Sequence, residues 1–241
     1  MKDLGPLQVA ILFVVGLIIV HCPLLFQSGA LQRDIVLQSF PWLHFQQQCL
    51  QDGRLPTWNP YLASGYPQGS DPQSQAWYPL HLLLRWLPEV TETTLRIFLF
   101  LHYVLSAYFF HLLCRGQKIS RLAASMCALA YCCSGFFLGH GEHYSWIVGQ
   151  CWLTALLLFT NRFLQNKRHK DLVLAALAIG LIILGGYPGL AAAGALLLFL
   201  YLIFEQGKVI ATTAQTAIVL LLATLCAAIL LLQLLAVAPH M

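Results

Sequence analysis

Long, uninterrupted apolar stretches dominate this chain and leave few folds open to it. They cover residues 7–26, 94–114, 120–138, 143–163, 172–186, 189–204 and 209–237. An α-helix needs about 20 apolar residues to cross ~30 Å of hydrocarbon, and most of these runs approach that length. The 172–186 run is short for a full crossing. Apolar residues follow one another without the alternation of a β-barrel strand, so helices are expected. Only 9% of the 241 residues are charged, where a soluble domain carries about 25%. The expected fold is all-α: one polytopic transmembrane helix bundle spanning 1–241, with about seven membrane segments and a long first loop at 27–93.

The N-terminal run follows Lys2 as a signal peptide would, but the bulky sequence His21-Cys22-Pro23 offers no small-residue cleavage site. It reads as a retained first span. Cys114, Cys127, Cys132, Cys133, Cys151 and Cys226 fall in or at the ends of apolar runs, and no C-x-x-C pair occurs. They are expected to pack as small hydrophobes and not to hold zinc or form a redox pair.

The net charge of +4 is spread over short loops, which speaks for membrane topology and against a nucleic-acid partner. Arg115, Lys118 and Arg121 lie in one such loop; Arg162, Lys167, Arg168 and Lys170 lie in another. Both fall on the same side of a seven-span count, so that side is expected to be cytoplasmic. The N-terminus is then inside. Loop 27–93, the 140–143 turn and the 185–189 turn face outward, with Asp34, Asp52, Asp71, Glu89, Glu92 and Glu142.

The long loop is too aromatic to be a disordered linker, with Trp42, Trp58, Trp77 and Trp86 among its residues. Its 35–50 stretch places apolar residues between glutamines, as short amphipathic surface helices would. Pro41 suits a first helical turn and predicts a break near Ser39. Residues 54–79 are rich in proline and glycine and read as an ordered, irregular crossover. Residues 79–87 read as a third surface helix or a partial dip into the membrane. Gly185-Gly186-Tyr187-Pro188-Gly189 is a turn signal joining two spans into a hairpin. His102 and His111, inside a span, are expected to hydrogen-bond to neighbouring helices.

Several strings in this loop act together. D-I-V-L-Q-S-F-P-W begins at Asp34. It is followed by G-R-L-P-T-W-N-P-Y at 53–61, G-Y-P-Q-G at 65–69 and Q-S-Q-A-W-Y-P-L at 73–80. With G-H-G-E-H at 139–143, G-G-Y-P-G at 185–189 and Gln233-Leu234-Leu235, the set resembles the bacterial YfhO-type membrane proteins. That family belongs to the GT-C superfamily of polyprenyl-phosphate-dependent glycosyltransferases. Its members are much longer. The chain therefore resembles an N-terminal portion, and a C-terminal half is an expected partner.

The resemblance implies a protein of the bacterial cytoplasmic (inner) membrane. It would transfer a sugar from a polyprenyl-phosphate carrier to an envelope glycopolymer or lipid acceptor on the outer face. The acid just after the first span, Asp34, would be the catalytic base, taking the proton of the attacking hydroxyl. The same residue could instead cap a surface helix. Arg33 could hold a donor phosphate or pair with an acid. Gln38, Asp71, Gln75, His140, Glu142 and His143 are the further substrate-binding candidates. The H-x-E-H spacing resembles a metal cluster, but interfacial packing accounts for both histidines, and neither a metal nor another cofactor is expected. The alternative reading is a non-catalytic, truncated or degenerate membrane module of the same family acting in envelope assembly. A transporter fits less well, since the spans carry no acids at their centres.

Overall fold

The computed structural model describes residues 5–26 and 34–240. Among them the architecture is all-helical, apart from an isolated antiparallel bridge between Asn59 and Tyr66. Five segments are long and apolar enough to cross a membrane: Glu92–Gly116, Arg121–Gly139, Tyr144–Asn166, Pro188–Gln206 and Val209–Cys226. The chain is thus a multi-pass helical membrane protein by the length and composition of its helices.

In chain order, α1 (Pro6–Val20) continues past a turn at His21 into the short α2 (Cys22–Phe26). Helix α3 (Phe40–Gln51) belongs to the long loop. Helix α4 (Glu92–Gly116) begins the bundle and is followed by α5 (Arg121–Cys132) and α6 (Gly135–Gly139). Then come α7 (Tyr144–Asn166), α8 (His169–Leu184), α9 (Pro188–Gln206), α10 (Val209–Cys226) and α11 (Ala228–Val237). The last two occupy the single apolar run read at 209–237, which the structure breaks at Ala227.

Helix α1 runs antiparallel to α4. Phe13 meets the ring of His111, His21 stacks on Tyr103 at 4.0 Å, and Arg96 donates to the carbonyl of Leu25. Helix α8 is sandwiched among α7, α9 and α10. A Cβ on Gly180 would lie 2.8 Å from that of Cys226, so only glycine allows α8 and the end of α10 this approach. Small residues replace hydrophobic driving force here, because lipid is as apolar as the helix surfaces. All eight cysteines are free, and Cys49, Cys114, Cys132 and Cys151 are buried, consistent with packing.

The bundle has two chemically distinct ends. One gathers the short connections after α4, α7 and α9. There Gln117 donates to Asn161 and Gln165 to the carbonyl of Gly116. Arg115, Lys118, Arg121, Arg162, Lys167, Arg168, Lys170 and Lys208 all lie in or beside these connections. The other end carries the long loop.

From that loop, the side chains of Tyr78 and, one turn on in the 3₁₀ segment Pro79–Trp86, His81 reach in between α4 and α7, while Leu82, Leu83 and Trp86 of the same segment stay exposed. The Tyr78 hydroxyl meets His102 Nε2 at 2.7 Å and accepts from Trp152 Nε1 at 2.8 Å. His102 lies ~15 Å along α4 from Glu92 at 1.5 Å per residue, so the reach is deep. It corrects the expectation that His102 bonds to a neighbouring helix: its partners are the loop's tyrosine and the carbonyl of Phe98. His111 does bond across helices, to Ser125 at 3.3 Å.

Glutamines hold the rest of the loop in place. Buried Gln47 donates to the carbonyls of Leu84 (3.1 Å) and Leu87 (2.8 Å) and accepts from the amide of Val90 (2.7 Å). One side chain thereby ties α3 to the 3₁₀ segment and to the entry of α4. Gln46 adds a bond to the carbonyl of Ser74. Replacing Gln47 by Leu leaves the buried Val90 amide without its acceptor, at on the order of 1–3 kcal/mol, while the carbonyls of Leu84 and Leu87 keep bonds from the Leu87 amide and from Gln51. A Q47L protein is expected to unfold at a clearly lower temperature. The neighbouring exposed Q48L should stay within about 0.5 kcal/mol of wild type, and a thermal denaturation series in detergent reads both.

Candidate functional site

The described loop begins at Asp34, followed by a π-helical turn, Ile35–Ser39, that runs directly into α3. The predicted break near Ser39 is therefore absent. Proline lacks an N–H, and its ring crowds the carbonyl four residues earlier. The wider π turn absorbs Pro41 without ending the helix, and such turns recur at functional sites. Asp34 has helical backbone angles, and its carboxylate makes no cap hydrogen bond. The capping role considered for it is thus not the one it plays.

The Asp34 carboxylate instead faces the turn before α7. Its Oδ2 lies 3.6 Å from His143 Nε2, and Glu142 Oε1 lies 3.9 Å from His143 Nδ1. The imidazole is thus flanked by two carboxylates. Both distances exceed a hydrogen bond, which leaves Asp34 able to accept from another donor. Its side chain is 54% exposed.

These groups line one cavity of about 260 Å³. Asp34, Gln38, Ser39 and Trp42 contribute one wall. Gln73 and Gln75 come from the crossover, and Glu142 through Trp146 come from the start of α7. The helix start is held by Tyr144, which is buried and hydrogen-bonded to His81 Nε2 at 3.1 Å. Burial lowers the pKa of His81 and keeps its ring neutral. Its Nδ1–H can then donate to the carbonyl of Gln75 while Nε2 accepts from Tyr144. The loop's His81 thus sets where α7 begins, and with it where His143 stands.

Of the residues expected from sequence, Asp34, Gln38, Gln75, Glu142 and His143 share this cavity. Gln75 is largely structural. It sits in a left-handed conformation and donates to the carbonyl of Gly185 in the α8–α9 turn. Gly186 faces it with φ +92°, where a Cβ would fall 2.9 Å from Gln75 Cγ. Glycine is required there both by conformation and by space.

Asp71 lies outside the cavity lining. It accepts from the Tyr66 hydroxyl and from the Gln73 amide, capping a 3₁₀ turn. Burial, then the Asp71 carboxylate, raises the Tyr66 pKa, so the phenol stays a donor. His140 sits behind His143, packed on Trp146 at 4.6 Å. Arg33 lies outside the described residues.

Sequence reading missed Trp42 and Trp146. Trp42 follows Gln38 by one helical turn, and Trp146 follows His143 by three residues, so helical periodicity alone could have found them. Trp146 also stacks on Tyr187 of the α8–α9 turn, at 5.0 Å and 10° between ring planes. This gives the tyrosine of the G-G-Y-P-G turn signal a place beside the cavity.

Chemically, the cavity offers a half-exposed carboxylate, an imidazole beside it, a second carboxylate and amide side chains. Among the described residues, no Lys or Arg lines it and no group of three or more metal-binding side chains occurs. No protein-family model, curated protein or solved structure matches the chain. Because Asp34 caps nothing, D34A is expected to keep its thermal stability within about 0.5 kcal/mol of wild type. Loss of a true cap would cost ~1 kcal/mol, a difference that an unfolding curve of the purified protein resolves.

Proposed function

We propose that this chain is a glycosyltransferase-like membrane protein of the YfhO type. In this reading it moves a sugar from a polyprenyl-phosphate carrier to an envelope glycopolymer or lipid. The observation that carries the proposal is the meeting of Asp34 and His143 over a cavity at the loop-bearing end. A base for glycosyl transfer must be ionisable, must reach the acceptor hydroxyl and must not be spent on structure. Asp34 meets these demands by its exposure and its lack of a capping bond.

The step is a displacement at the anomeric carbon. The acceptor oxygen forms the new bond, the bond to the phosphate oxygen breaks, and the Asp34 carboxylate takes the acceptor's proton. The polyprenyl phosphate leaves with the electron pair of the broken bond. His143 orients the Asp34 carboxylate, and the amide of Gln38 is placed to contact substrate hydroxyls. The described lining residues supply no cation for the donor phosphate. Arg33, adjacent to Asp34 in sequence, is the residue assigned to that charge.

The segregation of basic residues supports an orientation as well. The end rich in Lys and Arg is assigned to the cytoplasm, which puts the cavity on the outer face of the bacterial inner membrane. Five helices are long and apolar enough to cross the membrane, and in this reading α1–α2 with α8 complete the bundle as shorter segments. A carrier lipid diffusing in the outer leaflet would meet the cavity at its own headgroup level.

Turnover of labelled polyprenyl-phosphate sugar in membranes tests the reading. D34N is expected to lower turnover by roughly 10²–10⁴-fold, the usual contribution of a general base. Turnover equal to wild type would remove Asp34 from the mechanism.

A further inference from the structure

A second, larger cavity of about 480 Å³ adjoins the Asp34 cavity, and the two share Gln38 and Trp42 as lining. It runs along the exposed face of α3. Its wall combines rings with neutral hydrogen-bonding groups: Trp42, Phe45 and Tyr61 with Gln38, His44 and Gln48. Among the described residues, no charged side chain lines it.

The rings are held in position. Asn59 is buried, donates to Gln68 Oε1 at 2.9 Å and accepts from the amide of Tyr61 at 3.0 Å. That fixes the backbone of Tyr61, whose ring meets Phe45 edge-on at 6.3 Å while the residue remains 83% exposed. The polar groups keep free valences. Gln48 donates to His44 Nε2 at 3.1 Å, leaving Gln48 Oε1 as an acceptor and His44 Nδ1–H as a donor. Gln38 donates to Gln73 Oε1 at 3.1 Å and keeps its own carbonyl oxygen free.

We propose that this groove binds a neutral saccharide, with a sugar ring stacked on Tyr61 and its hydroxyls bonded to Gln38, His44 and Gln48. The C–H face of a pyranose is weakly positive and suits the negative face of an aromatic ring. Its hydroxyls need both donors and acceptors, which amides and a neutral imidazole supply. A hydrocarbon chain in the groove would strand these polar groups away from water, at a cost for each. An anionic ligand would find no Lys or Arg among the described lining residues, and Asp34 stands beside it. Leu37, Pro41 and Leu62 complete the lining, and an apolar and aromatic site with a few convergent polar groups is the usual form of a small-ligand pocket.

The groove's role as the acceptor subsite rests on the transferase reading. Through Gln38 it leads to Asp34, so a saccharide held there would present a hydroxyl toward the base. The acceptor is then a glycan and not a lipid headgroup. Saccharide binding itself does not depend on turnover.

The test is saturation-transfer NMR on the full chain in phospholipid nanodiscs free of sugar detergents. The probes are maltose, cellobiose and N,N′-diacetylchitobiose, with glucose 1-phosphate as the anionic comparison. At least one neutral disaccharide is expected to receive saturation at its ring protons. Y61A should weaken that binding roughly 3–10-fold, as the loss of an aromatic face predicts. Y61F, which keeps the ring, should retain it, and so should D34N. Tyr61 is exposed enough that Y61A is expected to unfold with the wild-type midpoint.

No transfer to any disaccharide, equal binding by Y61A, or preference for glucose 1-phosphate would overturn the proposal. Loss of binding in D34N would also overturn it, since the sugar would then sit at the other cavity. Disaccharide binding without carrier-sugar turnover keeps the groove and removes the transferase reading. Turnover without disaccharide binding, and with an unchanged acceptor KM in Y61A, does the reverse.

Discussion

The reach of the Tyr78 and His81 side chains between α4 and α7 is the contact on which the rest of this architecture depends. A tyrosine hydroxyl brought to the level of His102 has left bulk water, and an unpaired buried hydroxyl would be costly. Here it has two partners, His102 and Trp152, on the two helices that flank it. A polar network satisfied in this way fixes one arrangement of its members, because alternative depths leave at least one group unpaired. His81 repeats the device one helical turn further on, joining the loop's own carbonyl at Gln75 to Tyr144 at the head of α7.

From that anchor the cavity follows. Tyr144 is buried, so the residues around it at the start of α7 have determined directions. His143 and Trp146 are brought to the loop side, where Gln73 and Gln75 approach from the crossover. Gln75 is tied in turn to the α8–α9 turn, whose Gly186 leaves it room. The π turn after Asp34 then carries the chain past Pro41 into α3 without a break. Three segments distant in sequence therefore meet around one cavity, and each is held by buried hydrogen bonds. The carboxylate of Asp34 can remain unspent because other residues do the structural work. In the proposed reaction, that division is what makes a base available at the bundle's end.

The loop glutamines illustrate how much the sequence leaves undecided. Gln46, Gln47 and Gln48 are consecutive and chemically identical, and nothing in the string separates them. Gln47 is a fully bonded staple, Gln46 is buried with one bond to Ser74, and Gln48 faces the second groove. Their roles follow from a 100° rotation per residue about the axis of α3, set against neighbours that arrive from elsewhere in the chain. Asp71 and Asp34 make the same point. Both are loop acids near aromatic residues, yet one is held by Tyr66 and caps a turn, while the other bonds to no backbone group as a cap.

The sequence by itself determined that this chain is helical and membrane-spanning, where the hairpin turn at Gly185–Gly189 falls, and that charge is divided between two sets of connections. These are local properties: apolar length, glycine and proline punctuation, and the spacing of Lys and Arg. It also singled out Asp34, Glu142 and His143, through the resemblance of their strings. Only the tertiary structure decided that Tyr78 and His81 of the loop reach into the bundle, that Pro41 is absorbed by a π turn, and that Asp34 and His143 face one another. Those outcomes depend on pairings between residues as distant as Tyr78 and Trp152, or Gln75 and Gly185. The physical reason is that a buried polar group must find a partner wherever the fold supplies one, and sequence order does not say where that will be.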